Sequence, residues 1–485
     1  MQIVSCPSCG AEVKFVSHAS VVAVCEYCRA TVMKDADAVK DLGKMSSVLE
    51  DFTRIQVGTA GVLGGRNFSV VGRIQLRYSA GMWNEWFLSF DDAGTGWLGD
   101  SSGLYTVTTE TKAEGDLPAF DMILPGKLYT IGGERYTASE KRVAECVGGA
   151  GELPFRVGEG WQARVADFRA GASFVTLDYS DSDTPALYHG VSVTLEEMQC
   201  QLLRDDEQIK ASAGKYRGKL EALDCPSCGS AIKYLPGVTT ALVCPACSAQ
   251  LDAAGPQAQI LAQGEAVAKV RTTIPLGAVA KNNGVEHQVI GLMVRADDEG
   301  AEWTEYLLYN TRSAFFWLVE TDEGWSRATV MSTWPTWHST GSDHADLENV
   351  TYDKTYEYPA TVKFAAGAFN WRVAAGDVVR VFEFEHGQTT LAAELTDAEL
   401  TWSRSTPVAF DQIKTWFLSD LRSDVAAAPS RALPASSIAQ KFMWWILGLN
   451  AIPLIFNFSG TIFFVVLALL AIFLPAKLFA PKDKQ

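Results

Sequence analysis

Short runs in which apolar residues alternate with polar ones recur along this chain, separated by clusters of Gly, Asp and Ser. In the first half they are Ser69–Tyr78, Glu85–Phe90, Ala163–Phe168 and Ser173–Tyr179. In the second they are Val285–Arg295, Glu305–Tyr309, Phe315–Glu320 and Val378–Glu385. All are rich in Val, Ile and aromatics, which suit a pleated, half-buried backbone. Regular short strands with turns between them predict a mainly β protein built on barrels or sandwiches. Three stretches without that alternation predict helices: Ala36–Asp51, Thr194–Leu223 and Ala409–Leu421. The second, rich in Glu, Gln, Lys and Leu, is expected to be the longest soluble helix.

The pattern occurs twice. Ile55-Gln56-Val57-Gly58 matches Ile274-Pro275-Leu276-Gly277, and Val70-Val71-Gly72-Arg73-Ile74 matches Val289-Ile290-Gly291-Leu292-Met293. Trp83-Asn84-Glu85-Trp86-Phe87-Leu88 matches Trp303-Thr304-Glu305-Tyr306-Leu307-Leu308, and the offset stays between 216 and 220 residues. The chain is a tandem duplication of one unit of about 220 residues.

Each unit begins with four cysteines at one spacing. The first set is Cys6, Cys9, Cys25 and Cys28; the second is Cys225, Cys228, Cys244 and Cys247. Two CxxC pairs separated by fifteen residues are in the range read as a zinc site. Two residues between cysteines form a tight knuckle that aims both thiolates at one ion, and Gly10 and Gly229 follow as residues without a Cβ to strain the turn. Short strands at Ala11–Phe15 and Val21–Val24, repeated at 231–235 and 241–243, make both pieces zinc ribbons. Four thiolates leave no open coordination position, so two structural Zn2+ sites are expected. Rubredoxin-like iron and a redox dithiol are the alternatives that the same ligands leave open. A ribbon of about 30 residues cannot bury enough apolar surface to fold alone, and metal binding supplies the missing free energy, on the order of 10 kcal/mol.

The expected domains are ribbon 1 (1–34), a helical linker (35–52), β domain 1 (53–193), a connecting helix (194–223) and ribbon 2 (224–252). A helical linker (253–271), β domain 2 (272–407), a helix (408–423), a flexible linker (424–440) and a membrane anchor (441–476) follow. Small residues, two prolines and three serines over 424–440 give the linker its composition. From Phe442 to Leu474 no residue is charged. As one helix this run would extend about 50 Å, beyond a hydrocarbon core of about 30 Å, and Asn450, Pro453, Asn457 and Ser459-Gly460 interrupt it. A helical hairpin turning near Asn457–Gly460 fits, as does an interfacial helix carrying Trp444 and Trp445 followed by a single span. Lys441 on one flank and Lys477, Lys482 and Lys484 on the other favour the hairpin, with both ends in the cytoplasm.

Composition narrows the function. The formal charge is −16, with 57 acidic and 41 basic residues, which argues against sequence-independent binding to nucleic acid. The ribbons agree, since the second has only Lys233 as a cation. Thiolates for metal need a reducing compartment, and Met1–Val4 runs straight into Cys6 without a signal peptide, so the body is expected on the cytoplasmic face of an inner membrane. Cys146 and Cys200 are expected as packed thiols rather than a disulfide.

These motifs resemble the bacterial proteins catalogued as domain of unknown function 4178, which pair CPxCG ribbons with a β domain. The second copy carries the better match, in Val289-Ile290-Gly291, Trp303–Leu308, and Trp317-Leu318-Val319-Glu320 followed by Gly324-Trp325. The first departs from it where Gly99-Asp100 replaces Val-Glu. The resemblance implies no established activity. Such proteins are encoded beside polyamine-synthesis and phage-shock-type membrane-stress proteins, which implies an envelope role by association.

Catalytic patterns are sparse. Glu85 and Glu305 sit among aromatics, a setting that raises a carboxyl pKa, but strand alternation alone explains them as solvent-facing residues. The six histidines (His18, His189, His287, His338, His344, His386) have no metal-ligand spacing; His338 and His344 with Asp343 and Asp346 form a loose cluster in a Trp-rich loop. No GxSxG, Walker or Rossmann pattern stands in a fitting context. The first expectation is therefore a membrane-tethered zinc-binding scaffold or adaptor whose duplicated β domains bind protein partners, without nucleic acid. The alternative is a small-ligand sensor or enzyme using loop Trp325–His344.

Overall fold

The computed structural model describes residues 2–44, 53–205, 208–209, 221–252, 259–262, 272–418 and 421, and 446, 450 and 461–468 of the C-terminal stretch. Short gaps fall at 16–18, 21, 29, 35–38, 79–80, 102, 113–114, 156–160, 226, 235–240, 248, 283 and 311–313. Both repeats lie in one compact unit, Met1–Glu320 with Trp325–Leu421.

Each repeat closes an eight-stranded antiparallel barrel. In the first the strands are β1 (Arg66–Tyr78), β2 (Gly81–Phe90), β3 (Thr95–Ser101), β4 (Leu104–Thr111), β5 (Glu134–Leu153), β6 (Gln162–Ala170), β7 (Ser173–Asp178) and β8 (Ala186–Val193). They run β1-β2-β3-β4-β8-β7-β6-β5, and β5 returns to β1. The second repeats this with β9 (Val285–Ala296), β10 (Glu302–Asn310), β11 (Ala314–Thr321), β12 (Gly324–Val330), β13 (Val350–Phe369), β14 (Val378–His386), β15 (Thr389–Leu395) and β16 (Leu400–Val408). Closure leaves no bare edge in the wall, and it settles the choice between barrel and sandwich.

The closing seam is built on paired glycines. Gly72 on β1 faces Gly151 on β5, and Gly291 on β9 faces Gly367 on β13. A Cβ on Gly72 would lie 1.7 Å from the carbonyl oxygen of Glu152. Beyond this crossing, β5 and β13 continue out of the barrel to pair with ribbon strands: Glu152 and Leu153 with Ala23 and Val22, and Gly367, Ala368 and Phe369 with Val243, Leu242 and Ala241. The ribbons are thus continuous with the barrel walls. They also share their cores: Val22 and Val24 pack with Ile74, Leu76, Trp83 and Leu153, and Leu242, Cys244 and Leu251 pack with Ile290, Met293, Leu307 and Phe369.

Three expected helices are corrected. Within 35–52, Val39–Lys44 is a strand paired with Ala30–Lys34; within 253–271, Gln259–Ala262 is a strand paired with Gln250–Asp252. The neighbouring sheet supplies hydrogen-bond partners that outweigh weak helix propensity. The described residues of 194–223 do not form one continuous connecting helix either. Thr194 and Glu197 make a reciprocal cap, Glu197 N–H to Thr194 Oγ1 at 3.1 Å and Thr194 N–H to Glu197 Oε2 at 2.7 Å. A turn spans 195–199, Gln199 (φ 47) and Leu202 (φ 56) are left-handed, and the strand Glu221–Asp224 leads into ribbon 2. In that region only Gln208 and Ile209 are helical among the described residues. Leu195 and Met198 from this turn pack on the wall of the first barrel against Ile55, Phe68 and Trp86.

The expected helix at the end of the second repeat is present as Phe410–Phe417. Its Ile413, Trp416 and Phe417, spaced to share one face, pack on the wall of the second barrel against Ile274, Tyr306 and Leu318. One position in the repeat is thus served by a helix in one copy and a turn in the other. Most of the expected flexible linker and anchor lies outside the described residues. Among the described residues no helix is long and apolar enough to cross a membrane; residues 461–468 are helical, with Phe463, Phe464 and Leu467 exposed.

Candidate metal centres and buried acidic groups

Each knuckle is the turn of a hairpin. Gln2–Ser5 pairs with Glu12–Phe15 around Cys6 and Cys9, and Val22–Val24 pairs with Ala30–Lys34 around Cys25 and Cys28. The Cys6 N–H donates to Ala11 O at 2.7 Å and the Gly10 N–H to Cys6 O at 2.8 Å; Cys225, Ser230 and Gly229 repeat this at 2.8 Å each. Gly10 (φ 79) and Gly229 (φ 74) take the left-handed backbone that this turn demands.

The eight cysteines converge into two groups, Cys6, Cys9, Cys25 and Cys28, and Cys225, Cys228, Cys244 and Cys247, with all four sulfurs of each within 4.8 Å of one another. Cys6 Sγ lies 3.6 Å from Cys28 Sγ, and Cys9 Sγ 3.7 Å from Cys25 Sγ; the second set gives 3.8 and 3.7 Å. A tetrahedron with metal–sulfur bonds of about 2.3 Å has edges of about 3.8 Å. The sulfurs are thus spaced for one tetrahedral ion and stand too far apart for a disulfide, about 2.05 Å. Both groups could bind a metal ion such as zinc. In each, the first and third cysteines are buried and the second is exposed. Away from the knuckles, burial pushes the thiols of Cys146 and Cys200 each up to about 11, which makes them poor nucleophiles.

Glu85 and Glu305 are not solvent-facing. Glu305 is 9% exposed and Glu85 is largely enclosed. Each accepts a hydrogen bond from the tryptophan two residues earlier, Trp83 Nε1 to Glu85 Oε1 at 2.8 Å and Trp303 Nε1 to Glu305 Oε1 at 2.7 Å. Their surroundings then diverge. Arg295 Nη1 lies 3.3 Å from Glu305 and 2.8 Å from Glu394. Arg295 pairs across the strands with Trp303; the residue opposite Trp83 is Leu76. With no such guanidinium at that position, burial pushes the Glu85 carboxyl up to about 7, against the Trp83 hydrogen bond. The sequence signal for the ion pair is a lone arginine directly after the apolar run Val289–Val294.

This has a measurable consequence. The folded-state value near 7 lies above the ordinary 4.5, so the unfolded chain releases its proton first. Stability from this group is therefore present below about pH 4.5 and lost as pH rises through 7, by up to about 3 kcal/mol. Glu85→Gln keeps an oxygen for Trp83 and should be more stable than the parent at pH 8 by about that amount, with the gap closing by pH 5. Denaturant titrations at the two pH values check this; an equal difference at both would remove Glu85 as the titrating group.

The histidine loop does not assemble with Glu305. Trp334 and Trp337 are buried beside Phe382, Phe384 and Trp402. His344 Nδ1 lies 3.1 Å from Asp353, and Asp346 accepts from Thr351 at 2.6 Å. Elsewhere, His189 Nε2 is 3.1 Å from the Tyr136 hydroxyl, His287 packs edge-on to Phe316, and His386 Nδ1 is 3.1 Å from Thr351 O; His18 is outside the described residues.

No curated protein matches the chain. The sequence model of a family described as domain of unknown function (DUF4178) matches residues 56–195 and again 275–410, more than half of the chain. Each match spans one barrel and leaves the cysteine ribbon outside. The chain therefore belongs to the DUF4178 family, with two copies of its domain.

Proposed function

We propose that this chain is a zinc-stabilised scaffold, tethered to the cytoplasmic face of a membrane by residues 441–476, whose paired barrels present surfaces to protein partners. The observation that carries the reading is the continuity of each four-cysteine ribbon with the strand that closes its barrel. A metal placed there serves architecture, because four thiolates fill its coordination shell. Two copies of one domain in a single compact unit offer two related contacts to a partner, and so a gain in avidity. For the tether, the support is the uncharged run 442–474 together with exposed Phe463, Phe464, Val466 and Leu467 on the helical residues 461–468.

Cell fractionation tests the tether. The full chain should sediment with membranes and resist high salt, and a chain ending at Ser430 should be soluble with both metal sites filled. In intact cells, Gln485→Cys should be shielded from membrane-impermeant thiol reagents. A soluble full chain would refute the tether, and labelling from outside would refute the cytoplasmic placement of that end.

A further inference from the structure

We propose that the two barrels are docked through a proton-dependent seam, in which Asp167 holds a proton opposite Glu140 and its loss loosens the contact between the copies. Glu140 on β5 stands directly opposite Asp167 on β6. Like charges at such a cross-strand position repel, and two half-buried carboxyls relieve the conflict when Asp167 holds a proton. Their side chains lie within reach of each other, a contact that is favourable only when one of them carries a proton. Thr176 on β7 donates to Asp167 Oδ1 at 2.6 Å.

This pair borders the second copy. Glu140 forms a backbone bridge with Glu399, and the Lys141 N–H donates to Ala398 O at 3.1 Å. Arg142 pairs with Glu140 and reaches across to Glu399 Oε2 at 2.8 Å. A second contact lies farther along β6: Arg169 Nη1 donates to Ser332 O at 3.2 Å and the Trp334 N–H to Gly171 O at 3.0 Å.

The charged and titratable groups facing the pair are Arg142 on β5, Arg169 on β6, Glu85 on β2, Tyr78 on β1 and Glu399 of the second copy, with Glu394 beyond it. Arg142 also lies over the Tyr78 ring, so its position is restricted. With one proton on the pair, Arg142 divides its attraction between Glu140 and Glu399. Removing that proton adds a negative charge beside Arg142 on the first copy, drawing the guanidinium from Glu399 and weakening the bridge. Burial, then the neighbouring Glu140, raises the Asp167 carboxyl well above its ordinary range, so the change falls on the alkaline side of that range.

Hydrogen exchange of the full chain, corrected for intrinsic rates, tests this at pH 6 and pH 8.5. Protection at the Lys141 and Trp334 amides should fall about tenfold at the higher pH, while amides in the β2–β3 ladder hold. Asp167→Asn and Glu140→Gln should each abolish that pH dependence; the second is independent should the first fail to fold. Glu399→Gln should lower protection at both pH values, and Glu85→Gln should leave the dependence in place. A pH-independent seam in the parent chain would overturn the proposal. So would a dependence that survives in Asp167→Asn or Glu140→Gln, or one that disappears in Glu85→Gln.

Discussion

Replacing Cys225 by serine should cost the protein one of two metal ions and loosen the second barrel while the first stays closed. Elemental analysis should fall from about two zinc per chain to about one. Cys225 is 2% exposed and belongs to the cluster that joins ribbon 2 to Ile290, Met293, Leu307 and Phe369. Losing a thiolate removes much of a binding free energy on the order of 10 kcal/mol, which in a domain this small is folding free energy. The damage should spread because Ala241, Leu242 and Val243 pair with Phe369, Ala368 and Gly367 of β13, the strand that closes the barrel. Exchange protection over 367–369 should therefore fall along with that over 241–243, while the Ala23–Glu152 pairing of the first copy is unaffected. Loss of metal with full protection at 367–369 would show that the ribbon is an independent bead. A stoichiometry of one in the parent chain would exclude two separate sites.

Gly72→Ala should be among the most damaging single substitutions in the chain, at about 4 kcal/mol or more by denaturant titration. The added methyl would lie 1.7 Å from the Glu152 carbonyl oxygen and 2.8 Å from its carbon, and both are backbone atoms that cannot rotate away. Opening the seam would also pull Glu152 and Leu153 away from ribbon 1. Gly291→Ala, at the matching place in the second barrel, meets Ala368 O at 2.6 Å and should cost less. Gly115→Ala has open space around it and only a left-handed backbone (φ 83) to oppose it, so about 1 kcal/mol is expected. Equal losses at all three positions would contradict the steric reading of the seam.

Much of this protein is written locally in its chain. CxxC spacing fixes two knuckles because the ligands lie within a few residues of their turns, and the hairpins around them need only neighbouring sequence. The duplication is legible for the same reason, and so are most barrel strands, where Val, Ile and aromatics alternate with polar residues. Helix Phe410–Phe417 is legible from the spacing of Ile413, Trp416 and Phe417.

Other features depend on partners far away in sequence. Val39–Lys44 and Gln259–Ala262 are strands because a ribbon sheet stands beside them, and the capped turn at Thr194 stops early where Leu195 and Met198 cover apolar residues of the barrel wall. Glu85 and Glu305 have the alternation of exposed residues, yet closing a sheet into a barrel gives it an inside, and alternation does not say which face will be buried. The pairing of Arg295 with Glu394 and of Arg142 with Glu399 joins residues 99 and 257 positions apart. Local propensity is silent on such pairs; only the closed barrels, and their docking, bring the charges together.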